Sequence, residues 1–356
     1  MIGGCYTRLM APWRTAVLCA AAIAIAVVES IAGGAATGDI DPDVSRVLTR
    51  DLHFQASEMN DLEHDKIVRH TVDSPAPGEV AVAGGVRIHA PKSAFVERVR
   101  DIERFKRGPE ILQIGRFGSP PALADLDRLT VDKDDFDVRT CRVGDCDVRL
   151  PAATIRRFQE EIDPQSADVQ RRTADLFKRV LLDEVVSYEG GTDGRILSYD
   201  DGPKAIRPVD EFRGVLADEP SLGALVTGLP AHLRDYPSGR LDGVEDFLYW
   251  SKEKFGPEPF ITVTHVTIYC GSPHTCVVAT RDVYSSRYVD ASLAVTVATD
   301  SLADANRFYL IYANRSRASA MKGGLSGLRR SIVSRRARGG IEDSLKQIKA
   351  QLEPKR

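Results

Sequence analysis

Residues 259–300 read PFITVTHVTIYCGSPHTCVVATRDVYSSRYVDASLAVTVATD, and apolar residues recur in them with a period of two. This period is typical of strands that bury one face. With the segment that follows, the stretch predicts four strands, at 259–270, 276–284, 288–299 and 307–314. Parallel strands would need crossovers of a dozen residues, and the turns here are short, so we expect an antiparallel meander.

A second strand-rich region lies upstream of the meander. Residues 67–72 and 80–88 predict two strands joined by the turn sequence DSPAPG. Pro91 stands where a helix can begin, and the apolar stripe that follows predicts a helix over 92–107. Residues 111–117 form a further short apolar segment, which we interpret as a strand.

The chain ends in a basic, amphipathic helical segment. Its apolar residues follow helical spacing in two stripes, one ending at Ile332 and the next beginning at Ile341. The two stripes fall out of phase across Gly339 and Gly340, which predicts a kink or a break there.

The middle of the chain reads mostly as helix. Helices are predicted at 152–162 and 169–189, followed by short helical pieces. The last piece, 244–254, places Trp250 on its apolar side. Residues 129–150 instead predict a pair of strands closed by a loop between two cysteines.

The order of these elements resembles the helix-grip domain of the START and plant-allergen type, also grouped as polyketide-cyclase-like. The likeness is carried by EVAVAGGVRIHAP at 79–91, then VRDIE at 99–103, and by a C-terminal helix after a meander. It implies an α+β fold at 66–356, with a curved antiparallel sheet around a long C-terminal helix and a helical insertion at about 152–255. It also implies an apolar cavity that binds lipids or sterols; a minority of such domains catalyse cyclisation or hydrolysis. The chain also resembles uncharacterised exported bacterial proteins, a likeness that implies no activity.

The N-terminal residues are typical of an export signal. Arg8 and Arg14 precede an apolar run at 16–28, and small residues follow. The run is too short to cross a hydrocarbon core of ~30 Å without help, so residues 1–36 predict a signal peptide and a periplasmic or extracellular location. The alternative is an uncleaved anchor. Residues 37–65 are expected to form a helix and then a polar loop over 53–65.

Export would favour disulfides among the four cysteines that remain after the signal. Cys141 and Cys146 are close in the sequence, and so are Cys270 and Cys276. Two local disulfides across turns are therefore expected. The alternative is a metal site made of all four thiolates, or of three of them with His274, but the second pair is spaced more widely than structural zinc usually prefers.

Charge limits the classes of partner. The formal net charge is −3, so no overall field recruits nucleic acid. Residues 315–356 nevertheless hold 12 Lys and Arg against 3 Asp and Glu. The tail at 326–356 therefore either makes peripheral contact with an anionic membrane or packs on the core with its cations in solvent. No residue pattern specifies an oligomeric state.

Six polar or aromatic residues are candidates for lining the cavity. His265 and Tyr269 share one face of the first meander strand, and Arg281 lies at the polar end of the next strand. The predicted ligand-binding set is Trp250, His265, Tyr269, Arg281, Tyr284 and Tyr288. For His265 the alternative is a structural histidine, and for Asp282 a solvent-exposed ion pair with Arg281 is expected.

No sequence motif fixes a reaction or a cofactor. The chain lacks GxSxG, HExxH, Walker and dinucleotide-binding motifs, and we expect no cofactor and no metal. Three functions remain: an exported protein that binds an apolar or lipid-like ligand, an enzyme that uses His265 with Tyr269 in the same cavity, and an envelope interaction module. The non-catalytic binding protein is favoured.

Overall fold

The computed structural model describes residues 39–353 except 75, 192–197, 201–204, 255–257 and 320–325, and at 326–332 only the backbone. The predicted signal at 1–36 lies outside these residues. Within the described part the chain is an α+β protein with one antiparallel sheet of eight strands.

The strands follow the order β1-β2-β8-β7-β6-β5-β4-β3 across the sheet. Their bounds are β1 Val68–Val72, β2 Glu79–Ile88, β3 Ile111–Arg116, β4 Val244–Glu253, β5 Phe260–Tyr269, β6 Thr275–Ser285, β7 Ala291–Asp300 and β8 Phe308–Arg317. The meander is confirmed as β5 to β8, and so is the upstream hairpin as β1 and β2. β2 pairs with β8 and thereby joins the hairpin to the meander.

The helices lie before, between and after these strands. They are α1 Pro42–Arg50, α2 Ala56–Glu63, α3 Lys92–Arg100, α4 Ile102–Phe105, α5 Ala152–Glu161, α6 Val169–Glu189, α7 Pro208–Ala217, α8 Pro220–Leu225, α9 Leu229–Asp235 and α10 Ser326–Leu352. The predicted helices at 92–107, 152–162 and 169–189 correspond to α3 with α4, α5 and α6. Across the described helices, none is long and apolar enough to cross a membrane.

The predicted helix at 244–254 is wrong, because this segment is strand β4. It pairs with β5 along its whole length, from Val244 opposite Tyr269 to Glu253 opposite Phe260. Trp250 is fully buried on one face of β4, and Tyr249 is buried on the other. Because both faces of the strand are covered, its apolar residues form a run rather than an alternation, and a run does not distinguish a strand from a helix.

Three further local predictions are wrong. Residues 53–65 contain helix α2, and residues 129–150 form turns with one isolated bridge between Arg142 and Asp145 instead of two strands. α10 continues through Gly339 and Gly340. Each glycine costs about 1 kcal/mol relative to alanine in a helix, and packing of the helix on the sheet outweighs that cost.

Helices cover both faces of the sheet. We call the face covered by α3, α4 and α10 the helix-10 face; its core includes Val82, Phe95, Phe308 and Ile341. The opposite face lies under α1, α2 and α5 to α9. At Gly84 of β2 a Cβ atom would lie 2.9 Å from Cγ2 of Ile341 and 2.7 Å from the carbonyl oxygen of Val68, so glycine permits the close approach of α10.

Both predicted disulfides are present. Cys141 bonds Cys146, and Cys270 bonds Cys276 across the turn between β5 and β6. They close loops of six and seven residues, which on the chain-entropy estimate contributes about 2 kcal/mol each.

Candidate functional site

A patch of partly exposed side chains lies on the central strands of the sheet, on the helix-10 face. Its members occupy alternate positions of β6, β7 and β8, and we call them the helix-10 patch: Thr280, Asp282, Thr296, Tyr312, Asn314 and Ser316. On the opposite face, Ala279, Val295 and Ile311 of the same strands are buried to 0–2% exposure. Central strands are normally covered on both faces when helices flank them, so the patch marks space beside the sheet.

The strand register places the patch on the same face as α10. Thr296 lies opposite both Val278 and Tyr312, and Tyr312 lies opposite Gly84, where Ile341 of α10 approaches the sheet. Val278 belongs to the apolar core of this face, and Tyr312 packs at the edge of that core. The patch is therefore polar, with apolar surface beside it.

Asp282 is the one carboxylate of the helix-10 patch. It accepts hydrogen bonds from the Thr264 hydroxyl at 2.9 Å and from the Ser292 hydroxyl at 2.5 Å. Burial raises the pKa of Asp282, and the two hydroxyl donors and the charge of Lys106 oppose that rise only in part. Across the part of the chain that the structure describes, no Lys, Arg or His forms an ion pair with it.

A lysine at the end of α4 borders the same patch. Lys106 donates from Nζ to the Tyr249 hydroxyl at 3.0 Å and lies 3.3 Å from Oε1 of Glu253. Burial alone would lower the pKa of Lys106, but Glu253 and Tyr249 outweigh it and raise that pKa. Likewise burial alone would raise the pKa of Glu253, and Lys106 lowers it. The lysine and the glutamate therefore balance each other in charge.

An arginine of α10 faces the sheet from the same side. Arg338 lies three residues before Ile341 and seven before Leu345, the spacing that shares one helical face. Its Nε atom is buried and has no hydrogen-bond partner within the described residues. Buried donors are usually paired with protein or water, so this guanidinium has unused hydrogen-bonding capacity.

His265 lies on the opposite face, in a network that does not include α10. The Tyr188 hydroxyl donates to its Nδ1 at 2.8 Å, and its Nε2 donates to Oδ1 of Asp246 at 2.9 Å. Asp246 also accepts from Thr267 at 2.6 Å and from His232 at 3.1 Å. Burial lowers the pKa of His265, which keeps the ring neutral. Both ring nitrogens have partners, so the geometry is that of a structural histidine.

Arg281 is the one predicted site residue that the structure brings next to His265. The two lie opposite each other on β5 and β6, and the guanidinium lies over the rings of Phe212 and Tyr188. The expected surface ion pair between Arg281 and Asp282 is wrong. Consecutive residues of a strand point to opposite faces, so their side chains are separated by the sheet.

The other four predicted site residues are dispersed. Trp250 is fully buried and donates from Nε1 to the Asp125 carbonyl, and buried Tyr284 donates to the Arg149 carbonyl. Tyr269 lies at the far end of β5, and Tyr288 packs edge-on against Phe260 in the turn after β6. The six residues therefore do not line one cavity beneath α10.

A cleft of about 460 Å³ lies beside the disulfide of Cys141 and Cys146. Arg287 contributes to its wall but donates to the backbone carbonyls of Asp134, Asp135 and Pro259, so its donors are already used. The cleft is also lined by lysines and by acidic residues, and although Leu112 and Phe136 contribute to it, the lining is not predominantly apolar as in most small-molecule sites.

Asp282, Lys106 and Tyr312 were missing from the predicted site. A signal for the patch exists in the sequence: β6 carries Thr280 and Asp282, and β8 carries Tyr312, Asn314 and Ser316, all at alternate positions. A polar row on a central strand is unusual when both faces are covered, and it could have indicated an accessible face.

Comparisons with known proteins return no relative. No family model, no curated protein and no solved structure matches the chain. Among the described residues, no group of three or more His, Cys, Asp or Glu is arranged to hold a metal ion.

Proposed function

We propose that this chain is an exported binding protein that holds an amphiphilic, lipid-like small molecule between the helix-10 patch and α10. The observation that carries the proposal is the partial exposure of Thr280, Thr296 and Tyr312 on strands that lie at the centre of the sheet. Side chains there can meet solvent only if the face is not filled by the helices beside it. A ligand would occupy that space and cover these residues.

The chemistry of the patch favours an amphiphile over a wholly apolar ligand. Tyr312 presents a partly exposed ring at the edge of the apolar core of this face, while Asp282 and Asn314 present polar groups. Burying the polar groups beneath a hydrocarbon alone would leave them without partners, at a cost of about 1–3 kcal/mol each. A ligand with one apolar part and one polar part avoids that cost.

Two further observations support the proposal. The two disulfides are expected of an exported protein, because thiols stay reduced in most cytosols. The eight-stranded antiparallel sheet with a C-terminal helix on one face agrees with the helix-grip resemblance, in which the ligand lies between helix and sheet. The resemblance suggests where the ligand binds, and the exposed patch suggests that the ligand is partly polar.

The test is extraction of the protein purified from the compartment to which it is exported. Organic extraction and mass spectrometry should recover an amphiphile in near-stoichiometric amount. Thr296→Trp would fill the space over the patch and should reduce recovery severalfold, whereas Thr49→Trp on the exposed side of α1 should not. Recovery of no small molecule, or equal recovery from both variants, would refute the proposal.

A second candidate function is peripheral membrane contact through residues 326–356. Arg335 and Arg336 of α10 are exposed, away from the face that bears Ile341. Cations near an anionic leaflet contribute about 1 kcal/mol each. Co-sedimentation with vesicles that contain phosphatidylglycerol tests this candidate, and Arg335→Glu with Arg336→Glu should abolish binding if the tail is responsible.

A further inference from the structure

Asp282 gives the helix-10 patch a negative charge that forms no ion pair with the described residues. Lys106 and Glu253 form a pair at its edge and cancel each other. Asp282 accepts two hydroxyl hydrogen bonds and has no ion-pair partner among the described residues; the charge of Lys106 lowers its pKa, but Lys106 is already paired with Glu253. Lys106 therefore lies near two carboxylates, Glu253 and Asp282, whenever Asp282 is ionised.

The position of Asp282 makes this charge available to a ligand. The residue lies on β6, between β5 and β7, and its side chain is only partly buried. A carboxylate held this deep in a fold usually has an ionic partner. Here each carboxylate oxygen accepts one hydroxyl hydrogen bond, and the side chain keeps part of its exposure.

We propose that the patch binds the cationic head group of an amphiphile, with Asp282 as its counter-charge. The inference rests on the proposed function and adds the charge of the ligand to it. The aromatic rings of Tyr249 and Tyr312 lie on the same face, and Lys106 already lies 5.1 Å from the ring centre of Tyr249. Aromatic rings attract ammonium groups, so the surroundings of Asp282 suit an amine or a quaternary ammonium.

Titration of the neighbouring groups is consistent with this assignment. Burial raises the pKa of Asp282, so a cation that arrives beside it would stabilise the ionised form. The titratable groups around it are Lys106, Glu253, Tyr249 and Tyr312, and Arg338 of α10 is a further charged group on the same side of the sheet. Burial raises the pKa of Tyr312 to about 12, so its phenol stays neutral and able to donate.

Three probes with the same ten-carbon chain test the inference: decyltrimethylammonium, decanol and decanoate. Calorimetric titration of the full chain at pH 7.5 should show decyltrimethylammonium binding about tenfold more tightly than decanol. Asp282→Asn, which keeps the shape of the side chain, should abolish that preference. Asp242→Asn, in the exposed turn before β4, should leave it unchanged.

A second measurement uses the unaltered chain and does not depend on the folding of a variant. The charge of decyltrimethylammonium does not change with pH, so its affinity should fall as acid protonates Asp282, while the affinity of decanol stays constant. Equal affinity for decyltrimethylammonium and decanol at every pH would overturn the inference and leave the proposed function standing. If decanoate bound most tightly of the three, the inference would also be overturned, and Arg338 would be assigned as the residue that binds an anionic head group. Binding of none of the three probes would overturn the proposed function as well.

Discussion

Replacing His265 with alanine is expected to destabilise the fold by about 4 kcal/mol. The imidazole is fully buried and joins three elements: Tyr188 of α6 donates to Nδ1, and Nε2 donates to Asp246 of β4. Alanine removes both hydrogen bonds. The Tyr188 hydroxyl and the Asp246 carboxylate then lose a partner in a buried space that bulk water does not fill.

The magnitude follows from three contributions. The neutral hydrogen bond from Tyr188 is worth about 1 kcal/mol, and the charge-assisted bond to Asp246 about 2 kcal/mol. The emptied volume adds about 1 kcal/mol, because the packed surroundings of His265 relax only in part. The sum is within the range of about 3–5 kcal/mol observed when one partner of a buried pair is removed.

Urea unfolding followed by circular dichroism at pH 7.5 measures this loss. The midpoint should fall markedly, with little change in the slope of the transition. His274→Ala is the matched control, because the side chain of His274 is 60% exposed and its loss should change stability by less than about 0.5 kcal/mol. A midpoint for His265→Ala equal to that of the unaltered chain would show that the network is not structural, and a functional role for His265 would then be the better explanation.

Three other predictions follow from buried groups. Burial lowers the pKa of His265 below its ordinary 6.5, so the folded protein should lose stability as the pH falls from 7.5 to 5.5. The urea midpoint should fall over that interval, and it should fall less for His265→Asn. Replacing both Cys141 and Cys146 with serine should lower the free energy of unfolding by about 2 kcal/mol, which is measured as a lower melting temperature. A reducing agent should cause no further loss through this loop, because its disulfide is already absent. Arg315→Ala should cost about 3–5 kcal/mol in the same unfolding assay, since it removes the ion-pair partner of the buried carboxylate of Glu219; a loss below 1 kcal/mol would contradict this.

The meander could be predicted because its strands carry a local signal. Residues 291–297 alternate between the two faces, and the short turns leave antiparallel pairing as the sole arrangement. β4 could not be predicted in this way, because Leu248 to Trp250 are buried on both faces and show no period. The break expected at Gly339 also failed, since the cost of a glycine is small beside the packing of Ile341 and Leu345.

The site was harder to predict than the fold. Strand parity placed His265 and Tyr269 on one face of β5, and the register adds Arg281 as the cross-strand neighbour of His265. Parity does not say which face α10 covers, because that depends on where the chain crosses the sheet after β8. His265 and Arg281 therefore lie under α6 and α9, and the residues of the helix-10 patch were identified only from their exposure.

The accessibility of one position in β7 tests the existence of space beneath α10. Thr296 is partly exposed on the helix-10 face, and its neighbour Val295 is 2% exposed on the opposite face. With a thiol reagent under native conditions, Thr296→Cys should react well above the rate of the unsubstituted chain, and Val295→Cys should react only after unfolding. Equal protection of both cysteines would show that the face is closed and would contradict a ligand site between the sheet and α10.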